Sequence, residues 1–274
     1  MKLFFLIISM AIAINTQAQM RVMTYNIKYD DRNDTINSWE NRRDVIAGLI
    51  NFHQVDIFGT QEGLHHQIEY LQEKLPEFKV VGIGREGGEK GEYSALFYHT
   101  GKYDILDQNT FWLSQTPDQV SVGWDAALPR ICSWAKLREK DSGKEFFVFN
   151  THFDHRGEQA RENSAKLLVT NIKLIAGDNP AILTGDFNFT PDRKPYATLT
   201  GNKFEDSYLA CPLEPYGITG TFNGFNFCEM PTRRIDYIFI KNDVSVSSYG
   251  VLSDNYGLKY PSDHFPVLTE LQLK

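Results

Sequence analysis

The stretch Ala181-Ile182-Leu183-Thr184-Gly185-Asp186-Phe187-Asn188 decides how the chain is read. Its opening residues form an apolar run of strand length, which stops on a Gly-Asp-x-Asn cluster suited to a turn. Just upstream, Leu167, Leu168, Ile172 and Ile175 repeat at helical spacing in a segment from about Glu158 to Ala176, with Gly177 as its stop. A helix is thus followed by a strand with a polar tip, and the same grammar recurs in both directions.

Towards the N-terminus, Arg21–Lys28 alternates as a strand. Ser38 is placed to cap a helix running to about His53, with Val45, Ile46, Leu49 and Ile50 on one face. Val55-Asp56-Ile57-Phe58 reads as a short buried strand, and Leu64, Ile68, Leu71 and Leu75 mark a second helix. Further strands are predicted at Tyr93–His99, Ser133–Glu139, Glu145–Asn150, Arg234–Lys241 and Phe265–Leu273. Mixed strands and helices with hairpin-like spacing in the middle predict an α/β (α+β) fold of two packed sheets flanked by helices. No repeat or long linker interrupts the pattern, so residues 19–274 read as one domain.

The first residues read as an export signal. Lys2 precedes an apolar run from Leu3 to Ile14, and Thr16-Gln17-Ala18 supplies small residues for cleavage after Ala18. The run is short for a bilayer span, and no later segment qualifies, so no stable membrane anchor is expected. The expected location is secreted, periplasmic or extracellular. Of 28 basic side chains, loss of Lys2 leaves 27 against 35 acidic ones, a net charge of −8. That balance argues against high-affinity grip on a long nucleic-acid duplex, which needs many Lys and Arg contacts to phosphate. Cys132, Cys211 and Cys228 are too few and too scattered for a disulfide framework or zinc knuckle. A Cys211–Cys228 bridge would suit an exported chain; three buried or partly buried thiols is the preferred reading.

Six polar clusters lie where predicted strands meet loops: Asn26; Glu62; Asn150-Thr151-His152; Asp186 with Asn188; Asp236 inside Arg234-Ile235-Asp236-Tyr237-Ile238; and Ser262-Asp263-His264. Strand ends of helix-flanked sheets are where side chains converge on ligands. Asn, Asp and Glu offer hard oxygens suited to Mg²⁺ or Mn²⁺. A cation offsets charge on a phosphate ester, His can donate to a phosphoryl oxygen or move protons, and a carboxylate can orient either His or water. Singly, each has an ordinary role: Asn26 a turn former, Glu62 a helix-start acid, Asp186 and Asn188 an Asx turn, Asp263 a turn residue after Pro261. Asp236 differs, since a carboxylate within an apolar strand needs a partner, for which His264 is the candidate. No single structural role explains the conjunction.

Thr24-Tyr25-Asn26-Ile27, Gln61-Glu62, Thr151-His152, Gly185-Asp186-Phe187-Asn188, Ile235-Asp236-Tyr237-Ile238 and Ser262-Asp263-His264, in this order, resemble the endonuclease/exonuclease/phosphatase superfamily of metal-dependent phosphoesterases, which includes deoxyribonuclease I. The resemblance runs from residue 21 to about 268. It implies a four-layer sandwich with the active site at one edge of the sheets. It implies Glu62 as principal metal ligand, Asn26 beside it and Asp263 near or on the metal. Asp186 and Asn188 would hold the water and a phosphate oxygen, Asp236 would orient His264, and His152 would be the second catalytic histidine, with Glu92 as its partner. Whether the His–Asp pair or Asp186 takes the water's proton stays open in the resemblance; Asp186 is preferred here as positioner or base, with His264 and His152 on phosphate. Mg²⁺ is the expected cofactor, with Mn²⁺ or Ca²⁺ as substitutes.

Among other basic groups, Arg130 precedes a strand and is a candidate for substrate phosphate, while His155 and Arg156 are candidates for the pocket rim. Arg85 sits in a Gly-rich loop without nucleotide-motif spacing. His53, His65, His66 and His99 are read as ordinary helix or strand residues, and Asp30, Asp31 and Asp34 as a solvated loop lacking EF-hand spacing. The expected activity is hydrolysis of a phosphodiester or phosphomonoester, with nucleic acid, phospholipid head group and sugar or inositol phosphate not distinguished. A catalytically silent relative that keeps the fold and binds a phosphate ligand is the alternative. A calcium-stabilised structural protein would leave His152, His264 and Asp236 without a role. Substrate choice belongs to the loops Asp30–Asn37, Gly82–Glu92, Gln115–Arg130 and Glu214–Met230.

Overall fold

Val22 and Met23 send their side chains to opposite sides of one strand, and both sides are covered. That arrangement follows from the strand period of two, and it recurs in the central strands of both sheets of the computed structural model, which describes residues 19–274. The expected export signal lies outside the described residues. In chain order the strands are β1 (Met20–Asn26), β2 (Ile57–Gln61), β3 (Phe78–Val81), β4 (Leu96–His99), β5 (Tyr103–Trp112), β6 (Ile131–Glu139), β7 (Glu145–His152), β8 (Ala181–Asp186), β9 (Glu205–Asp206), β10 (Tyr216–Gly217), β11 (Asp236–Lys241), β12 (Val244–Val251) and β13 (Val267–Leu273). The helices are α1 (Trp39–Phe52), α2 (His65–Lys74), α3 (Glu158–Ala176), α4 (Lys194–Gly201) and α5 (Ser207–Ala210).

One mixed sheet has the order β10-β12-β13-β1-β2-β4-β3, and the other has the order β5-β6-β7-β8-β11-β9. Between them lies an apolar layer that includes Val22, Ile57, Leu96, Val148, Ile182 and Ile238. The other face of the first sheet, with Met23, Tyr25 and Phe58, packs on Ile46 and Ile50 of α1 and Ile68 and Leu71 of α2. The other face of the second, with Phe149, Leu183 and Phe239, packs on Leu168 and Ile172 of α3 and Leu199 of α4. Helix, sheet, sheet and helix give four layers. Each fully buried Val, Leu, Ile or Phe contributes roughly 1.5–3 kcal/mol, so these three apolar layers dominate the favourable side of folding.

Towards one end, the space between the sheets turns polar. Asn150 donates Nδ2 to the carbonyls of Thr60 at 2.9 Å and Ala95 at 2.8 Å. Its Oδ1 accepts from Gln61 Nε2 at 2.7 Å and Thr184 Oγ1 at 3.0 Å. Gly59 makes this closeness achievable, since a Cβ there would lie 2.3 Å from Asn150 Oδ1. Asn150 uses both atoms of its amide across the gap, and a buried network of this kind fixes the sheets in one relative placement, with Gln61 Oε1 left unpartnered.

The strand predicted from Tyr93 begins only at Leu96; Tyr93 instead bridges Gly63 and Gly84. The strand predicted from Val55 begins at Ile57, and just before it Asp56 Oδ2 accepts from Arg21 N at 2.8 Å. β5 and β12 escaped sequence reading for a physical reason. β5 is an edge strand with exposed Leu106-Asp107-Gln108-Asn109, and β12 carries a register shift between Val246 and Ser248, so neither shows clean alternation. Ser38 does precede α1, but its side chain makes no capping bond; Gly177, at φ +59°, ends α3 as expected. All three cysteines are free, with Cys132 buried and Cys228 exposed, so the Cys211–Cys228 bridge is not formed.

Candidate active site

The polar end of the sandwich is where the six clusters meet. β7 and β8 run parallel with His152 opposite Asp186, and β11 runs antiparallel to β8 with Asp236 opposite Asp186. Asp186 therefore has a histidine on one side and a carboxylate on the other. From the facing sheet, β1 ends on Asn26 in register with Gln61, and Glu62 follows immediately. Asp263 and His264 arrive on the segment before β13.

The contacts are short and mutually dependent. Asn26 Nδ2 donates to Glu62 Oε1 and to Asp186 Oδ2, both at 3.0 Å, and lies 3.4 Å from His264 Nε2. His264 Nδ1 meets Asp236 Oδ2 at 2.9 Å, with both residues buried. Asp186 Oδ1 accepts from Asn188 N at 3.0 Å, and its Oδ2 stands 3.5 Å from His152 Nε2 and 3.7 Å from His264 Nε2. Asn188 Nδ2 donates to Phe153 O at 3.0 Å and lies 3.1 Å from His152 Nε2, which can only accept from that amide nitrogen. Lys28, Glu62 and Asn188 all have positive φ, at 58°, 65° and 51°. Left-handed backbone at non-glycine residues costs of order 1–2 kcal/mol each and gathers at functional sites.

The loops under the site are tied from beneath by Arg42, which is fully buried on α1. Its guanidinium donates to the carbonyls of Asn37 (2.6 Å), Ile27 (2.7 Å), Pro261 (2.8 Å) and Lys28 (3.2 Å). Gln67 of α2 adds Nε2 to Lys28 O at 3.0 Å. One helix thus anchors both the loop that carries Lys28 and the loop that carries Asp263.

Burial, then the neighbouring Asp236, raises the Asp186 carboxyl to about 7. Burial works against a charged His264, but Asp236 and Asp186 outweigh it and lift its pKa to about 10. Burial, then Arg130 and Arg85, holds His152 well below its ordinary value and therefore neutral. Burial opposes the Glu62 charge, yet Lys28, His264 and the Asn26 hydrogen bond bring its pKa down. The neighbours thus push the two histidines in opposite directions.

Ligand atoms of Glu62, His152 and Asp186 lie within 4.8 Å of one another, and so do those of Asp186, Asp236 and His264. Lys28 Nζ already sits 3.4 Å from both Glu62 Oε2 and Asp263 Oδ2, so the carboxylates gather around positive charge. This donor set, rich in hard oxygens, fits a divalent cation. Asn26 turns its nitrogen to Glu62 and Asp186 while its Oδ1 accepts from Lys28 N at 3.1 Å, so it links the two carboxylates.

The site opens into a cavity of about 480 Å³, lined on one part by Lys28, Glu62, Asp186, Asn188, Asp263 and His264 and on another by Arg85, Glu92, Arg130, His152 and His155. Two expectations change here. Glu92 accepts from Arg85 Nη1 at 2.6 Å, so its partner is Arg85 and not His152. Arg85, set aside as a loop residue, is buried and lines the cavity; Gly87, Gly88 and Gly91 at positive φ fold its loop back over the site, which sequence spacing could not show. Lys28, Phe222 and Arg233 were also missed, although Lys28 lies two residues from Asn26. Arg156 is not among the lining residues.

Residues 23–264 match the model of the endonuclease/exonuclease/phosphatase family, and the chain belongs to that family: it is a metal-dependent hydrolase of phosphoester bonds. A family member from Bacteroides thetaiotaomicron is 42% identical, with 94% of this chain and 99% of that one covered at a TM-score of 0.91. The mannosyl-6-phosphatase of Bacteroides thetaiotaomicron VPI-5482 is 43% identical, with 92% and 99% covered at a TM-score of 0.89. Nocturnin of Drosophila melanogaster is 25% identical over 86% of this chain, which spans 42% of that protein's length.

Proposed function

We propose that this is an exported, Mg²⁺-dependent phosphatase of small phosphate esters, of the sugar-phosphate kind. The observation that carries the reading is the meeting of Glu62, Asp186, His152 and the His264–Asp236 pair on one cavity of about 480 Å³, a size suited to a small molecule. The acidic charge balance and the 43% identity to a mannosyl-6-phosphatase favour a small anionic substrate over a long polymer.

Glu62 and Asp186, with Asp263 beside them, would hold the metal, which when bound offsets charge on the phosphoryl and leaving oxygens. Asn26 keeps the Glu62 and Asp186 carboxylates together. Asp186, fixed by the Asn26 side chain and the Asn188 amide, is placed to orient the attacking water. His264, kept charged by Asp236, presents Nε2–H towards the phosphoryl oxygen. Neutral His152 is held in place by Asn188 and completes the phosphate contacts.

The test is phosphate release by the mature protein from mannose 6-phosphate, other sugar phosphates, inositol phosphates, sphingomyelin and single- and double-stranded nucleic acid, with Mg²⁺ or with chelator. Mg²⁺-dependent release from a sugar phosphate, abolished in His264→Ala with the fold intact, is expected. No release from any member would favour a silent phosphate-binding relative, and release only from polymers would sink the small-substrate reading. Export is checked separately: the exported protein should begin at Gln19, and an intact Met1 in the cell fraction would refute it.

A further inference from the structure

Two guanidinium groups share the cavity wall around His152, and each has hydrogen-bonding capacity left over. Arg85 is 7% exposed, gives Nη1 to Glu92 Oε2 at 2.6 Å, and has a buried Nε with no partner. Arg130 is 4% exposed; its Nε donates to Asp154 Oδ2 at 3.3 Å and its Nη2 meets His155 Nδ1 at 3.0 Å. Asp154 is itself fixed by the amides of Ala127, Arg156 and Gly157, so Arg130 is held by a rigid partner. A guanidinium carries five N–H donors in a planar fork. Two such forks on one half-dry wall call for acceptor oxygens beyond Glu92 and Asp154. His152 lines the main cavity and also a gap of about 10 Å³ beside Arg85, Glu92 and Arg130, and its Nε2 stands 3.5 Å from Asp186 Oδ2, so it links this wall to Asp186.

We propose that Arg85 and Arg130 are specificity-determining residues that take the free oxygens of a phosphate monoester, so that the enzyme selects monoesters over diesters. The proposal rests on the phosphoester-hydrolase reading and narrows its substrate class. A monoester presents three non-bridging oxygens and close to two negative charges near pH 7. A diester has two such oxygens and one charge, and its second organic group would meet the guanidinium wall. Planar forks match the doubly charged group bidentately, which a Lys ammonium cannot do. Glu92 acts on the substrate only through Arg85, as a positioning residue.

The experiment compares wild type, Arg85→Gln, Arg85→Lys and Arg130→Gln, all metal-saturated, on 4-nitrophenyl phosphate and bis(4-nitrophenyl) phosphate, with inorganic phosphate as inhibitor. Wild type should prefer the monoester. Arg85→Gln should lower monoester kcat/KM and weaken phosphate inhibition roughly ten- to hundredfold, with the diester changed by less than about threefold. Arg85→Lys should recover only part of the loss. Arg85→Gln keeps the test independent of Arg130→Gln, which also breaks the buried pair with Asp154. Equal losses on both substrates with phosphate inhibition unmoved, or a wild-type preference for the diester, would overturn the proposal. Should neither ester be hydrolysed, the hydrolase reading fails instead. Calorimetric titration of inorganic phosphate into wild type and Arg85→Gln then still decides: weaker binding in the variant supports the clamp, and equal affinity refutes it.

Discussion

Replacing Asp236 by Asn exchanges one buried oxygen for an amide and leaves the shape of β11 unchanged. His264 Nδ1 lies 2.9 Å from Asp236 Oδ2, and the two residues are 4% and 0% exposed, so the pair works in a dry setting where charge counts heavily. Removing the negative charge takes away the largest support for a charged His264, and turnover should fall by roughly 10²–10⁴, the range for a positioned acid–base group. Stability should fall less. Asp236 Oδ1 has no partner, so an amide nitrogen placed there becomes a buried unsatisfied donor costing about 1–3 kcal/mol. For a chain of this size each kcal/mol lowers Tm by about 2–4 °C. The pH dependence has a definite sign. The His264 pKa is raised from 6.5 to about 10, so the stability it adds is complete below 6.5 and fades as pH rises through about 10. In metal-free buffer, the gap in Tm between wild type and Asp236→Asn should therefore narrow from neutral pH to about 10. Steady-state kinetics and thermal melts across that interval test both parts. A variant with kcat near wild type would show that Asp236 is only a buried structural residue, and a gap that widens with pH would refute the charge assignment.

Glu62→Gln should weaken Mn²⁺ binding by roughly tenfold or more, measured calorimetrically, because a charged oxygen ligand is lost; unchanged affinity would move the metal away from Glu62. Gly59→Ala should destabilise by about 1–3 kcal/mol in urea melts, since its Cβ would lie 2.3 Å from Asn150 Oδ1 and 2.6 Å from Thr184 Oγ1, and an unchanged midpoint would mean that the sheets can separate freely. Asp154→Ala, which strips an acceptor from three backbone amides and from Arg130, should cost about 3 kcal/mol at neutral pH. Burial opposes the Asp154 charge, but hydrogen bonds from Gly157 and Arg156 outweigh it and lower its pKa; the wild-type advantage should hold above pH 3.8 and shrink as acid protonates the carboxylate, and a constant gap would contradict this. Thiol titration of the denatured, unreduced protein should find three free thiols, and finding one would restore the Cys211–Cys228 bridge.

Apolar periodicity and polar strand ends were enough to read the layered architecture and the cluster of polar residues that meets at one end of it. Apolar periodicity marked α1, α2, α3 and most central strands, because residues buried between layers must repeat at the period of their element. Polar residues at strand ends marked Asn26, Glu62, His152, Asp186, Asn188, Asp236, Asp263 and His264, since packed strands leave their tips free for function. Asp236 stood out most plainly, because an unpaired carboxylate in an apolar strand would be costly. How the other half of the pocket closes around His152 follows from contacts between residues far apart in the chain. Arg130 was already a candidate for substrate phosphate, but Arg85 joins it on the wall around His152 only through loop conformation, and Arg42 secures two loops by donating to carbonyls, which are the same at every residue and leave no trace in a sequence. Glu92 shows the limit most directly: the family resemblance implied His152 as its partner, but the folded Gly-rich loop brings Arg85 to it instead. Periodicity records which face of an element is buried, whereas the pairing of long polar side chains depends on where loops come to rest in space.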